Sequence, residues 1–134
     1  MKKLETRLTV RSYELDFYGH VNNATYVQYL ELARVEMLYA AGITFDALFK
    51  ARTTPVVANV NINYKHSAKL HDEIIIYTHV SKLGNTSFTV RHEGYNLTQG
   101  NVLSFDADVV LVFIDPQTGK PQAIPEAIKE KFKP

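Results

Sequence analysis

Residues 22–42 read NNATYVQYLELARVEMLYAAG, and this stretch decides the fold. Asn22 and Asn23 favour a helix N-cap, no Pro or Gly interrupts Ala24 to Ala41, and Gly42 suits the position just past a helix C-terminus. The spacing predicts one long helix. On a wheel of about 100° per residue, Tyr26, Leu30, Ala33, Met37 and Ala40 share a face. Val27, Leu32, Val35, Leu38 and Tyr39 populate its flanks and back, so the helix is expected to be enclosed rather than laid on a surface. Glu31 and Arg34, three residues apart on that helix, are expected to satisfy each other as an internal ion pair.

Outward from the helix the periodicity changes to two. Leu4 to Arg11 alternates, with Leu4, Thr6, Leu8 and Val10 on one face, and Ser12 to Val21 reads as a loop containing Gly19. After the helix, Val56, Ala58, Val60, Ile62 and Tyr64 face one way and Asn59, Asn61 and Asn63 the other. Further strands are predicted at 73–83, 86–95 and 102–114, separated by Gly84-Asn85 and by Thr98-Gln99-Gly100-Asn101. Asp115-Pro116-Gln117-Thr118-Gly119 ends the last strand, and Pro125 at a first helical position opens a short helix carrying Ile128 and Phe132. The order is strand, long helix, then four strands in a meander. One antiparallel sheet of five strands curled around the central helix satisfies it, an α+β class.

With 134 residues, no repeat and no linker-like tract, residues 1–134 are read as a single domain. A formal net charge of +1 lacks the footprint of a nucleic-acid binder. The absence of cysteine removes disulfides, thiolate metal sites and cysteine nucleophiles. No stretch approaches the 18 or so apolar residues that span a bilayer, and the start turns polar at once, so a soluble cytoplasmic protein with no membrane partner is expected. A sheet-rich chain of this size often completes its burial by self-association, and a homo-oligomer is expected.

The chemistry concentrates in Asp16-Phe17-Tyr18-Gly19-His20-Val21-Asn22-Asn23-Ala24-Thr25-Tyr26, the loop that feeds the helix. A helix start leaves amide N–H groups without partners and carries partial positive charge, so it can receive an oxyanion developing on a carbonyl. Gly19 lets the loop turn sharply and return the Asp16 carboxylate toward the N–H of Asn23. A carboxylate beside a polarised carbonyl suits acyl transfer, and thioester hydrolysis in particular, because a thiolate leaves with little proton donation. Asp16 would serve as general base on a water or attack directly to give a mixed anhydride, and the residues leave both routes open. His20 would order water, hold Asp16 or contact substrate, or else simply close the loop through the backbone.

This segment resembles the 4-hydroxybenzoyl-CoA thioesterase family of hotdog-fold proteins, with Asp16, Gly19 and Tyr26 matching its motif. Gly-His-Val-Asn-Asn-x-x-Tyr, followed by Tyr29, Glu31, Ala33 and Arg34 and later by residues 56–64, looks closest to the long-chain acyl-CoA thioesterase III branch. The similarity runs from about Leu8 to Asp115. It implies a hotdog fold, Asp16 in the catalytic position and the Asn23 N–H on the thioester carbonyl. It also implies a dimer or tetramer with sites at subunit interfaces. Leu15, His20 and Asn23 depart from the members that take aromatic substrates, which points away from a 4-hydroxybenzoyl substrate. The His-Val-Asn-Asn run is also similar to acyl-carrier-protein thioesterases, but those typically carry a second hotdog repeat.

The expected reaction is hydrolysis of a medium- or long-chain fatty acyl-CoA to the free acid and coenzyme A, without metal or cofactor. Asp16, Asn23 and His20 are the candidate catalytic residues. Gly19, Tyr26, Lys65, His66 and Lys69 are candidates for substrate binding, the last three toward the phosphates of coenzyme A. Tyr26 and Tyr29 pack against the sheet or line an acyl channel. A metal site at His66, His71 and Asp72 lacks suitable spacing. Two other readings use the same groove: a non-catalytic module that binds acyl thioesters, and a hydratase or dehydratase of hydroxyacyl thioesters built on His20.

Overall fold

Strand β1 (Leu4–Thr9) leads through a 3-10 turn at Ser12–Glu14 into helix α1 (Asn23–Ala40), in the computed structural model, which describes residues 2–133. Helix α2 (Phe45–Lys50) and strands β2 (Thr54–Tyr64), β3 (Glu73–Leu83), β4 (Ser87–Asn96) and β5 (Val102–Ile114) follow, and helix α3 (Glu126–Phe132) ends the chain. Asn22 caps α1, its side chain accepting from the Ala24 N–H at 2.9 Å, and Gly42 takes φ +78° beyond its end. Pro125, expected at the first helical position of α3, occupies the cap instead, one place before Glu126. Among the described residues no helix is long and apolar enough to cross a membrane.

All five strands form one antiparallel sheet in the order β1-β3-β4-β5-β2. The expected meander of four strands is therefore corrected: β3, β4 and β5 run consecutively, but β2 lies on the far edge beside β5, and β1 takes the place beside β3. No two-residue hairpin signal separates Tyr64 from Glu73, and the connection at residues 65–72 instead crosses the end of the sheet. The expected face of β2 is corrected as well. A β-bulge at Ala58 shifts the register, pairing Val57 with Leu111 and Asn59 with Val110, so that Val57 rather than Val56 joins Val60 and Ile62 on the helix side.

The sheet's inner face carries Ile74, Ile76, Phe88, Val90, Phe105, Ala107, Val109, Leu111 and Phe113, all buried. Burying each of the larger side chains contributes about 1.5–3 kcal/mol. Helix α1 covers this face with Tyr26, Tyr29, Leu30, Ala33, Met37 and Leu38. It is not enclosed: Val27, Leu32, Tyr39 and Ala40 are exposed, because one layer of sheet covers one side of a helix. The expected Glu31–Arg34 ion pair is also absent, since Glu31 points to solvent while Arg34 is buried and makes no hydrogen bond or ion pair among the described residues. Burial lowers the Arg34 pKa, and the charge of Glu31 only partly opposes this.

Two details of the core matter for the site. Gly94 on β4 lets the Phe105 ring lie across the strand, since a Cβ there would stand 2.2 Å from Phe105 Cε1. That ring then meets Tyr26 at 5.1 Å between centroids. At the sheet centre His92 is fully buried, its Nδ1 paired with Thr78 Oγ1 at 3.0 Å and its Nε2 without a partner among the described residues. Burial, reinforced by the charge of Arg34, pushes its pKa down to about 3.

Candidate active site

The loop between β1 and α1 folds back on itself as a small hairpin, with an isolated bridge between Leu15 and Val21. Its base is fixed by Glu14, which is buried, ion-paired to Arg11 at 2.6 Å and bonded by the Tyr29 hydroxyl at 2.9 Å. Burial raises the Glu14 pKa, but the hydrogen bonds from the Arg11 side chain and backbone and from Tyr29 outweigh it, so the carboxyl stays ionised below its ordinary range. The Tyr29 phenol is pushed up in turn, by burial and by its bond to that carboxylate. Glu14 O also accepts the Asn22 N–H at 2.9 Å, which ties the loop's base to the start of α1.

At the tip, Asp16 is half-buried and held by main chain alone. Its Oδ1 accepts from the N–H groups of Tyr18 at 2.8 Å and His20 at 3.1 Å, and its own N–H donates to His20 O at 2.7 Å. Gly19 makes this closure possible, at φ +79°. Oδ2 has no partner among the described residues. Asn23 opens α1, and its N–H likewise has no acceptor there, because the Asn22 side chain caps the next amide.

The connection at residues 65–72 closes the other side. Lys65 and His66 N–H groups both donate to Ser104 O, Val21 N–H donates to Ala68 O, and Ala68 N–H donates to the Tyr26 hydroxyl at 3.2 Å. Tyr64 OH donates to Asn23 O at 3.0 Å, joining the end of β2 to the helix start. The result is a cleft of about 360 Å³ lined by Asp16, His20, Val21, Asn23, Tyr26, Tyr64, Lys65, His66 and Ser67. Burial pushes the Tyr26 phenol up, so it remains neutral.

Of the residues singled out from the sequence, Asp16, His20, Asn23, Tyr26, Lys65 and His66 therefore meet around one cleft. Gly19 shapes the loop from outside the lining. Lys69 is also outside it, paired through its backbone with His20, and its side chain is exposed. The His66 ring is bonded to the Gln99 side chain, and Lys65 stands beside it at the rim. Tyr64 and Ser67 were not foreseen, although Tyr64 ends a strand just before the basic connection. Asp72 holds the connection's end: its Oδ2 accepts from Lys69 N–H, Asn96 Nδ2 and Gln99 Nε2, and these bonds keep its pKa low against the effect of burial. Among the described residues no group of three His, Asp or Glu side chains is arranged to hold a metal ion.

Among the described residues, a carboxylate with one oxygen unbonded thus shares a cleft with an amide at a helix start that has no acceptor, under a basic rim. The model of the thioesterase-like superfamily matches residues 10–132. The long-chain acyl-CoA thioesterase FadM of Escherichia coli is 34% identical over 129 residues, covering 96% of each chain. The acyl-CoA thioester hydrolase YbgC, also of Escherichia coli, is 34% identical over 129 residues and 95% of each chain. The solved structure of the probable thioesterase YbaW from the same species superposes with a TM-score of 0.84 at 32% identity, covering 96% of this chain and 98% of that one. By sequence over nearly its whole length, and by a five-stranded sheet curled over one long helix, the chain belongs to the thioesterase-like superfamily and has the hotdog fold.

Proposed function

We propose that this chain hydrolyses acyl-CoA thioesters in the cleft at the start of α1, with medium- or long-chain fatty acyl groups as substrates. The observation that carries the reading is that Asp16, whose Oδ2 has no partner among the described residues, and Asn23, whose amide has no acceptor among them, line the same cleft. The thioester carbonyl oxygen lies on the Asn23 N–H, where the helix dipole favours growing negative charge. Asp16 takes a proton from water as the water oxygen bonds to the carbonyl carbon. The C–S bond then breaks, the sulfur leaves as the thiolate of coenzyme A, and the acid is released. Direct attack by Asp16, giving an anhydride that water then opens, uses the same geometry.

His20 shares the cleft and orders the water or the substrate, while Tyr26 and Tyr64 border the acyl group. Lys65 and His66 receive the phosphates of coenzyme A, with Lys69 next to them along the connection. We read the enzyme as a cytoplasmic dimer or tetramer, with the acyl channel between neighbouring subunits. The similarity to FadM and YbgC supports the substrate class.

The test is thiol release from a panel running from acetyl- to palmitoyl-CoA plus aromatic thioesters, for the wild type and Asp16→Asn together. Removing the base is expected to lower turnover at least about a hundredfold. Near-normal hydrolysis by a folded Asp16→Asn protein overturns the mechanism, and binding without thiol release by the wild type overturns the activity.

A further inference from the structure

The turn between β4 and β5, at residues 97–101, carries Gln99, which is half-buried beside the rim of the cleft. Its main chain is set by Asn96, whose Oδ1 accepts the Gln99 N–H at 3.1 Å. Its side chain lies between two titratable groups. Nε2 is 2.6 Å from Asp72 Oδ2, and Oε1 meets the His66 ring at Nε2.

The protons of this chain of groups are dictated from its buried end. Burial raises the Asp72 pKa, but the bonds from Asn96, from the Lys69 N–H and from Gln99 outweigh it, so the carboxyl is ionised and can only accept. The Gln99 amide therefore turns its NH2 to Asp72 and its carbonyl to His66. That carbonyl also only accepts, so His66 Nε2 carries a hydrogen. Nδ1 has no partner among the described residues, and any further proton on the ring can go only there.

The main chain of His66 is pinned as well. Its N–H donates to Ser104 O at 3.0 Å and its carbonyl accepts from Ser104 Oγ at 2.6 Å, with Ser104 buried on β5. His66 itself is exposed, and fixing an exposed side chain costs conformational entropy. Asp72, Gln99 and Ser104 fix this one in advance, which lowers the cost of binding a ligand to it. Lys65 and Lys69 lie on the same connection and favour an anion. Asp16, His20, Tyr26 and Tyr64 are the titratable side chains across the cleft. Only Asp16 among these opposes an anion, and two main-chain N–H groups engage its Oδ1.

We propose that Gln99 and Asp72 are positioning residues for coenzyme A: they hold the His66 ring with Nδ1 toward the cleft, where its protonated form donates to a phosphate oxygen. The proposal rests on the reading of the cleft as an acyl-CoA site, and it adds the atom that meets the phosphate and the two residues that aim it.

Titration calorimetry tests it, with coenzyme A and with pantetheine, which lacks the phosphates. The proteins are the wild type, Gln99→Met, His66→Gln and the double variant. In Gln99→Met the Asp72 carboxylate keeps its bonds from Lys69 and Asn96, and His66→Gln alters an exposed residue, keeping an N–H for Gln99 with nothing at the place of Nδ1. Each single variant is expected to weaken coenzyme A about tenfold and to leave pantetheine unchanged. The double variant binds no more weakly than His66→Gln alone, because Gln99 acts through His66. A merely structural role would weaken both ligands and make the losses add. Additive losses, equal losses for pantetheine, unchanged binding of coenzyme A by either single variant, or a wild type with no preference for coenzyme A over pantetheine overturn the proposal. Binding breaks no bond, so a wild type that follows the expected pattern yet releases no thiol from acyl-CoA supports the positioning while overturning the hydrolysis.

Discussion

His92 gives the sharpest quantitative test of the core, because it is an imidazole at the centre of the sheet with one nitrogen on Thr78 and the other on nothing among the described residues. Its pKa falls from 6.5 to about 3 through burial and the charge of Arg34. In the unfolded chain the ring protonates first, so its contribution to stability is whole above about pH 6.5 and shrinks as the pH falls toward 3. Between pH 7 and pH 5 this amounts to about 2 kcal/mol, close to 1.4 kcal/mol for each unit below 6.5. Glu14 and Asp72, whose pKa values are held low, lose their contributions only under more acid conditions, below the ordinary values of 4.5 and 3.8. His79 shifts the same way as His92, by burial and the charge of Lys3, and is left in place. Urea unfolding followed by tyrosine fluorescence, available with eight Tyr and no Trp, reads stability at each pH. The wild type is expected to lose about 2 kcal/mol over that interval, and His92→Gln, which keeps a partner for Thr78, less than about 1 kcal/mol. An undiminished acid dependence in a folded His92→Gln protein refutes the reasoning.

Three further substitutions address the path from core to cleft. Gly94→Ala drives a methyl into the Phe105 ring, which must move from its place against Tyr26; a loss of about 1–3 kcal/mol in thermal unfolding is expected, together with weaker thiol release. Asn22→Ala removes the cap on the Ala24 N–H and is expected to cost about 1 kcal/mol in urea unfolding, the backbone bond from Asn22 to Glu14 being kept. Tyr64→Phe removes the hydroxyl that holds Asn23 O; stability should change by less than about 1 kcal/mol while thiol release falls several-fold, because the bond orients the helix start rather than the core.

Where one residue type carried the local conformation, the sequence could be read directly. Asn22 and Gly42 bracket α1 because a cap and a left-handed stop are local devices, and β3 and β5 end where expected for the same reason. Helix α2 was not foreseen. Its six residues are too few to display a period, though Thr44 capping the Ala47 N–H was a usable sign. The place of β2 on the far edge and the bulge at Ala58 depend on pairing across the sheet, which alternation along one strand does not contain. The same distinction holds at the cleft. Asp16, His20 and Asn23 lie within eight residues of one another and were legible as a unit, whereas Tyr64 arrives from the end of β2 and Ser67 from the connection that crosses the sheet. Spacing alone suggested a bond between Glu31 and Arg34, while an ion pair that does form, exposed Arg11 with buried Glu14, joins the end of the expected strand to the loop after it, where no period points to it.

The carboxylate at position 16 is aimed by peptide groups alone, those of residues 18 and 20, and not by neighbouring side chains. The side chains of Phe17 and Tyr18, residues that are 96% and 80% exposed, have no share in that aim. Substitution of these two side chains therefore changes the surface beside the cleft while the Asp16 oxygen stays put, so that outer surface and carboxylate aim vary on separate parts of the same five-residue turn.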